Sequence, residues 1–374
     1  MTTLRLMTDE MAPSGHNGEV FGCAYSPDNA AVLSAGWDGH LRYWNASTGT
    51  ELAKLQAHPK ALSACTFTPD GRRWVSGSME GFLGFWDLET LECIDTFVAH
   101  TRPISAITFS PNGKQLATAS WDRKVMLRKV GNEREGKVLH GHQDIVSGCR
   151  YTVDGQSLLT WSHDGSVRLW DVELAREICV LGVHDDRVTA TSLSPDGRWA
   201  VSCGRDGSMK LWDLHDRVEV VSAQQAAEVR GCFFTLDAES FITVDAEGWL
   251  VLLSVPTMEV QLELRTRLKV MCGDLSPSGS QLALGCEDGC MRFVAVEGFE
   301  HASLPVTATK ITQETDTLFS RFLGKKTVKL SYQFTCPTCL GLAEVPTLPV
   351  TPVSCGRCGR LLRVNRLTRE LQPK

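Results

Sequence analysis

The sequence contains no run of apolar residues near the ~20 needed to span a bilayer as a helix, so no membrane span or membrane partner is expected. Its opening, Met-Thr-Thr-Leu-Arg-Leu-Met-Thr-Asp-Glu, lacks a basic stretch followed by an apolar one. No signal peptide is read there, and a cytoplasmic location is the expectation. Through the first three quarters of the chain nothing sustains a helical period, which argues against helices. A Gly-rich phosphate loop is missing, as is a nucleophile elbow. The chain therefore reads as a non-enzyme, with no catalytic residue and no small-molecule substrate.

What the chain has is punctuation. A turn signal recurs as Ser26-Pro27-Asp28-Asn29, Thr68-Pro69-Asp70-Gly71, Ser110-Pro111-Asn112-Gly113, Thr152-Val153-Asp154-Gly155, Ser194-Pro195-Asp196-Gly197, Thr235-Leu236-Asp237-Ala238 and Ser276-Pro277-Ser278-Gly279. From Pro27 through Pro69, Pro111, Val153, Pro195, Leu236 and Pro277 the steps are 42, 42, 42, 42, 41 and 41. Such a clock marks an array of one structural unit. Pro presets φ, and Asp, Asn and Gly accept the rest of a tight turn. Short apolar runs flank the turns, as in Val20–Tyr25, Ala31–Ala35, Leu41–Trp44 and Leu52–Leu55. They predict four strands per unit. One such sheet cannot bury both faces, but seven packed radially can, with few exposed edges.

Trp86-Asp87, Trp170-Asp171 and Trp212-Asp213 share one phase of the repeat, with Trp44-Asn45 in step. Gly15-His16 and Gly141-His142 open their units, and His58, His100 and His184 stand at the same phase. The unit resembles a WD40 repeat, and the array is similar to a seven-bladed WD40 β-propeller, an all-β fold. The resemblance implies blades near 16–57, 58–99, 100–141, 142–183, 184–225, 226–266 and 267–305. The propeller would then occupy 1–305. Its ring would be closed by Thr3–Met7 or by Leu304–Thr307, and the N-terminal strand is preferred because Pro305 suits only an edge.

The resemblance also implies a buried chain of hydrogen bonds in each blade, from turn Asp to His, to a strand hydroxyl, to Trp. The full set falls on His16, Ser34, Asp38 and Trp44; on His142, Thr160, Asp164 and Trp170; and on His184, Ser202, Asp206 and Trp212. In blade two Glu80 replaces the Asp beside His58, Ser76 and Trp86. In blade three Arg128 stands where Trp is expected, beside His100, Thr118 and Asp122. Blade six keeps Thr243 and lacks the His, and blade seven keeps only Asp288. A hydrolase triad is rejected, because the constellation repeats per blade and ends on an indole donor.

Fourteen cysteines remain to be placed. Cys23, Cys65, Cys149 and Cys232 share one phase and read as small core side chains a blade apart, out of each other's reach. Free thiols of this kind fit a reducing compartment. Cys336-Pro337-Thr338-Cys339 and Cys355-Gly356-Arg357-Cys358, separated by 15 residues, have the spacing of a structural zinc site. One Zn held by these four thiolates leaves no open coordination position. The segment 328–366 resembles a short bacterial zinc ribbon, with 306–327 read as a linker or short helix and 367–374 as a tail.

From Arg321 onward ten Lys or Arg stand against Glu344 and Glu370, a balance of +8, so the rest of the chain carries −14 of the net −6. A basic ribbon is a candidate contact for nucleic acid, or it docks on the acidic propeller. In WD40-like propellers, partners usually bind the face bearing the turn before the third strand and the start of the first. By phase these positions include Phe21, Trp37, Met79 and Trp121 over blades one to three, with Arg187, Arg205 and Arg230 over blades five and six; Ser63, Ser105, Ser147, Thr189 and Met271 complete the first-strand set. The leading expectation is a scaffold or adaptor that binds a protein or peptide there, with the ribbon as anchor or second contact. The alternative is a nucleic-acid-associated factor.

Overall fold

Each of the seven turn signals closes the hairpin between the first and second strands of a four-stranded antiparallel sheet. In blade one the strands are Val20–Tyr25, Ala31–Gly36, His40–Asn45 and Glu51–Gln56, in that spatial order. The turn explains its own signature. Ser26 Oγ donates to Asp28 at 2.6 Å and accepts from the Ala31 amide at 2.9 Å. The fourth turn residue is left-handed in every blade, with φ of 64° at Asn29, 72° at Gly71, 69° at Gly113, 67° at Gly155, 75° at Gly197, 61° at Ala238 and 70° at Gly279. Glycine adopts that conformation without steric cost, Asn tolerates it, and Ala238 is the strained exception.

The computed structural model describes residues 3–7 and 15–297, together with the strands Leu304–Thr315, Thr327–Thr335, Leu342–Val345, Val353–Ser354 and Leu361–Glu370. Within the unit Met1–Glu300, the first strand of each sheet lies against the first strand of the next. That of blade seven, Val270–Leu275, lies against that of blade one, so the ring is closed. Blade seven has the order Val270–Leu275, Gln281–Cys286, Met291–Glu297 and, outermost, Thr3–Leu6. The last pair is antiparallel, with Thr3 opposite Glu297 and Leu6 opposite Val294.

The core lies between adjacent sheets. Leu33, Leu41, Leu62, Trp74 and Trp86 form one cluster across blades one and two. Hydroxyls at the start of the first strands add cross-ties: Ser63 donates to the Ile104 carbonyl, Ser105 to that of Val146 and Thr189 to that of Val229. The thiols of Cys65 and Cys232 point at Leu33 and Val201 carbonyls of the preceding blade, at 3.6 and 3.9 Å. Blades six and seven, where the polar set erodes, instead share an aliphatic cluster of Leu4, Ile242, Val244, Leu250, Leu282, Leu284 and Val294.

Residues His301–Lys374 make a second unit whose described strands form one five-stranded sheet. Leu304–Thr315 is its central strand, paired antiparallel to Thr327–Thr335 and parallel to Leu361–Glu370. Over residues 306–315 this replaces the reading of 306–327 as a linker or short helix, since ladder pairing on both sides makes that part an extended strand. The stretch of weak helical pattern, 316–326, lies outside the described residues. Leu304–Thr307 thus belongs to this sheet and not to the ring. The cysteines at 336, 339, 355 and 358 lie outside the described residues.

Leu4 is buried in the cluster shared by blades six and seven. Leu4→Ala should lower stability by about 2–4 kcal/mol in denaturant unfolding. A loss under ~0.5 kcal/mol would show that the N-terminal strand contributes nothing to the ring.

Candidate functional site: polar relays and the face above them

In blade one the relay is complete. Trp44 Nε1 donates to Ser34 Oγ at 2.8 Å, Ser34 lies 2.7 Å from His16 Nε2, and His16 Nδ1 lies 2.8 Å from Asp38. The indole can only donate, so Ser34 must give its proton to Nε2, and Nδ1–H then donates to the carboxylate. This chain requires a neutral imidazole. Burial holds His16 below its ordinary pKa against the pull of Asp38. Burial would raise Asp38, but the His16 bond and the Asn17 and His40 amides hold it well below the carboxylate range. A Cβ on residue 36 would sit 2.2 Å from His16 Nδ1, so the ring position demands Gly36. Blade four repeats the arrangement, with His142 at 3.0 Å from Asp164 and 2.7 Å from Thr160, and Trp170 at 2.8 Å from Thr160.

Blade five departs from the expected set. Trp212 and His184 meet Ser202 at 2.8 and 2.7 Å, but His184 Nδ1 meets Ser208 Oγ at 2.7 Å, and Ser208 in turn donates to Asp206 at 2.7 Å. The hydroxyl takes the place of the carboxylate. Burial, and next the charge of Lys210, push His184 down to about 4. In blade two, Glu80 pairs with Lys60 at 2.7 Å, while His58 and Trp86 keep Ser76 at 3.0 and 2.9 Å. In blade three, Arg128 fills the Trp position: Nη1 donates to Thr118 at 2.6 Å and Nη2 to the Ala99 carbonyl at 2.9 Å, while His100 meets Thr118 and Asp122 at 2.8 and 2.9 Å. In blade six, Gln225 stands in for the missing His and donates to Thr243 at 2.9 Å. Its phase, 41 residues after His184, was the signal in the sequence.

Above the relays, one backbone bond recurs in all seven blades. The amide before the third strand donates to the residue before the first, as in Trp37 to Glu19, Met79 to Ala61, Trp121 to Pro103 and Arg205 to Arg187. Both loops therefore share one face. Phe21 and Trp37 meet there with ring centroids 6.0 Å apart. Trp37 is 56 % exposed, yet it is held over Gly18, whose φ is +117° and whose absent Cβ would lie 2.9 Å from Trp37 Cβ. Trp121 is also exposed and Met79 half-buried. Arg187 and Arg205 are exposed and flank His163, whose pKa is lowered by burial first and then by Arg187, with Asp144 and Asp186 opposing. Arg230 is engaged, at 3.3 Å from Glu228 and 2.9 Å from Met271 Sδ. Arg187 and Arg205 thus both stand over blade five, beside His163 of blade four. Ser63, Ser105 and Thr189 are spent on the inter-blade ties. Among the described residues no cluster of His, Cys, Asp or Glu has metal-holding geometry, and no helix is long and apolar enough to cross a membrane.

The WD domain, G-beta repeat family matches residues 9–45, 49–87, 91–128, 134–171 and 175–213, together just over half of the chain. The chain belongs to this family. The matches stop at Asp213, where the Trp-Asp signature ends and the aliphatic cluster takes over. Propellers of this family commonly mediate protein–protein interactions and are typically non-enzymatic. A comparison with curated proteins gives no match for the chain.

Folded His184 titrates at about 4 against an ordinary 6.5, so the unfolded chain binds more protons between these values. Stability is full above the upper value and falls as pH drops toward the lower one. His184→Gln, which copies Gln225, should cost about 1–2 kcal/mol near neutrality and weaken the loss between pH ~7 and ~5. Denaturant melts of both proteins at two pH values check this; identical pH slopes would refute it.

Proposed function

We propose that the chain is a non-enzymatic scaffold that captures a protein or peptide on this face of the propeller. The observation that supports the reading is the Phe21–Trp37 pair. A tryptophan more than half exposed, fixed over a glycine and beside a second ring, presents apolar area with little entropy left to lose. Trp121 and Met79 extend the apolar arc, and the partner's acidic group meets Arg187 and Arg205. Trp37→Ala with Trp121→Ala should leave the melting midpoint within a few degrees and remove partners recovered by pull-down and mass spectrometry. Retention of every partner would overturn the reading. Nuclease-sensitive material in place of protein would shift it to the basic C-terminal segment and nucleic acid.

The second unit is proposed to hold one structural zinc on Cys336, Cys339, Cys355 and Cys358. Spacing supports this, and so does strand order. Cys336 and Cys339 fall in sequence between the antiparallel strands Thr327–Thr335 and Leu342–Val345, and Cys355 and Cys358 between Val353–Ser354 and Leu361–Glu370. Gln333 opposes Thr309 and Leu362 opposes Leu304, so the strand ends next to both pairs lie at the same end of the sheet. Bound there, zinc would supply folding energy to a unit too small to rely on its core. Elemental analysis should give one zinc per chain, lost in Cys339→Ser with Cys358→Ser; a folded, metal-free second unit would refute the site. A reducing, cytoplasmic setting is proposed with it, supported by the ten free thiols among the described residues.

A further inference from the structure

Cys23 and Cys272 stand on the innermost strands of blades one and seven, on either side of the interface between those two blades. Their sulfurs lie 3.7 Å apart, in van der Waals contact. Cys272 Sγ also lies 3.4 Å from the Val20 carbonyl of blade one, and Cys23 Sγ 3.8 Å from the Ala283 carbonyl of blade seven. Each thiol therefore points across the interface. Both residues are half-buried. A second thiol pair, Cys203 and Cys232, spans blades five and six within hydrogen-bonding reach, but these residues are 0 % and 4 % exposed. Facing sulfurs and partial exposure of both residues therefore coincide at the interface of blades seven and one.

We propose that Cys23 and Cys272 are a disulfide-forming site, which ties blade one to blade seven covalently under a sustained supply of hydroperoxide. One thiolate attacks the peroxide, the O–O bond breaks, and water (or an alcohol) leaves, giving a sulfenic acid. The second thiolate attacks that sulfur, the S–S bond forms, and the hydroxyl departs as water. Two thiols and one hydroperoxide thus give one disulfide, with two electrons passing from sulfur to peroxide. The sulfurs must close from 3.7 Å to about 2.05 Å. The hydrogen bond to Cys272, and then burial, hold the Cys23 thiol well above its ordinary pKa. Thiolate is scarce, so the bond forms slowly. The bridge encloses nearly the whole propeller in one covalent loop and so restricts the unfolded chain.

The test uses the full chain, incubated at length with hydrogen peroxide, denatured, alkylated and digested without reduction. The expected result is a peptide pair linked through Cys23 and Cys272, two hydrogens lighter than its parts and released by a thiol reductant. Cys203 and Cys232 should remain alkylated. The oxidised chain should melt about 5 °C higher than the reduced one, with no such rise in Cys272→Ala. If that variant fails to fold, the linked peptide from the unaltered chain decides. Oxidation of the exposed Cys93 with no Cys23–Cys272 bridge would overturn the proposal. So would a bridge from either residue to a different cysteine, or one that leaves the midpoint unchanged.

Discussion

The ladder between Thr3–Leu6 and Met291–Glu297 is the bond on which the ring depends. Every sheet of a propeller buries its faces only against two neighbours, so a ring with one weak joint exposes two faces at once. Here the joint lies inside blade seven, which takes its outer strand from one end of the unit and three strands from the other. The pairing removes an open edge and carries Leu4 into the aliphatic cluster. Elsewhere the ring is continuous in sequence, and its joints are held by core side chains, by hydroxyl and thiol ties, and by turns that nest against their neighbours.

Two ways of filling a blade coexist in this molecule. In blades one to five a polar relay fixes the third strand and the turn above it. In blades six and seven an apolar side chain takes the Trp position, with Leu253 and Val294 buried there, and only blade six keeps a polar pair, Gln225 with Thr243. The first way orients groups by direction as well as contact, since each donor must find its acceptor. It is over these blades that the exposed aromatics and the basic pair stand, on turns tied by one backbone bond per blade.

Much of this was legible because turn chemistry is local. Ser-Pro-Asp-Gly announces a hydroxyl–carboxylate bond and a left-handed fourth residue whatever the rest of the chain does. The relays of blades one and four could be read by phase for the same reason. Blade five could not: blade four has Ser166 where blade five has Ser208, yet only His184 loses contact with its Asp. That choice is made by side-chain rotation, which periodicity does not encode. The meeting of Cys23 with Cys272 escaped for another reason. Cys272 sits one position earlier in its strand, so a rule comparing equal phases keeps the two apart. The strand Leu304–Thr315 was missed because its pairing partners lie far along the chain.

Arg128 shows what a single unlike residue does to an array. The residue is 2 % exposed, and burial pulls its guanidinium down to about 10, still cationic at neutrality. It does the work of an indole toward Thr118 and a second task, capping the Ala99 carbonyl, that an indole cannot perform. The repeats are therefore not interchangeable parts. Grafting the third strand of blade four into blade three would restore the family's tryptophan and take from the Ala99 carbonyl its Arg128 donor, so the exception carries a bond the repeat does not.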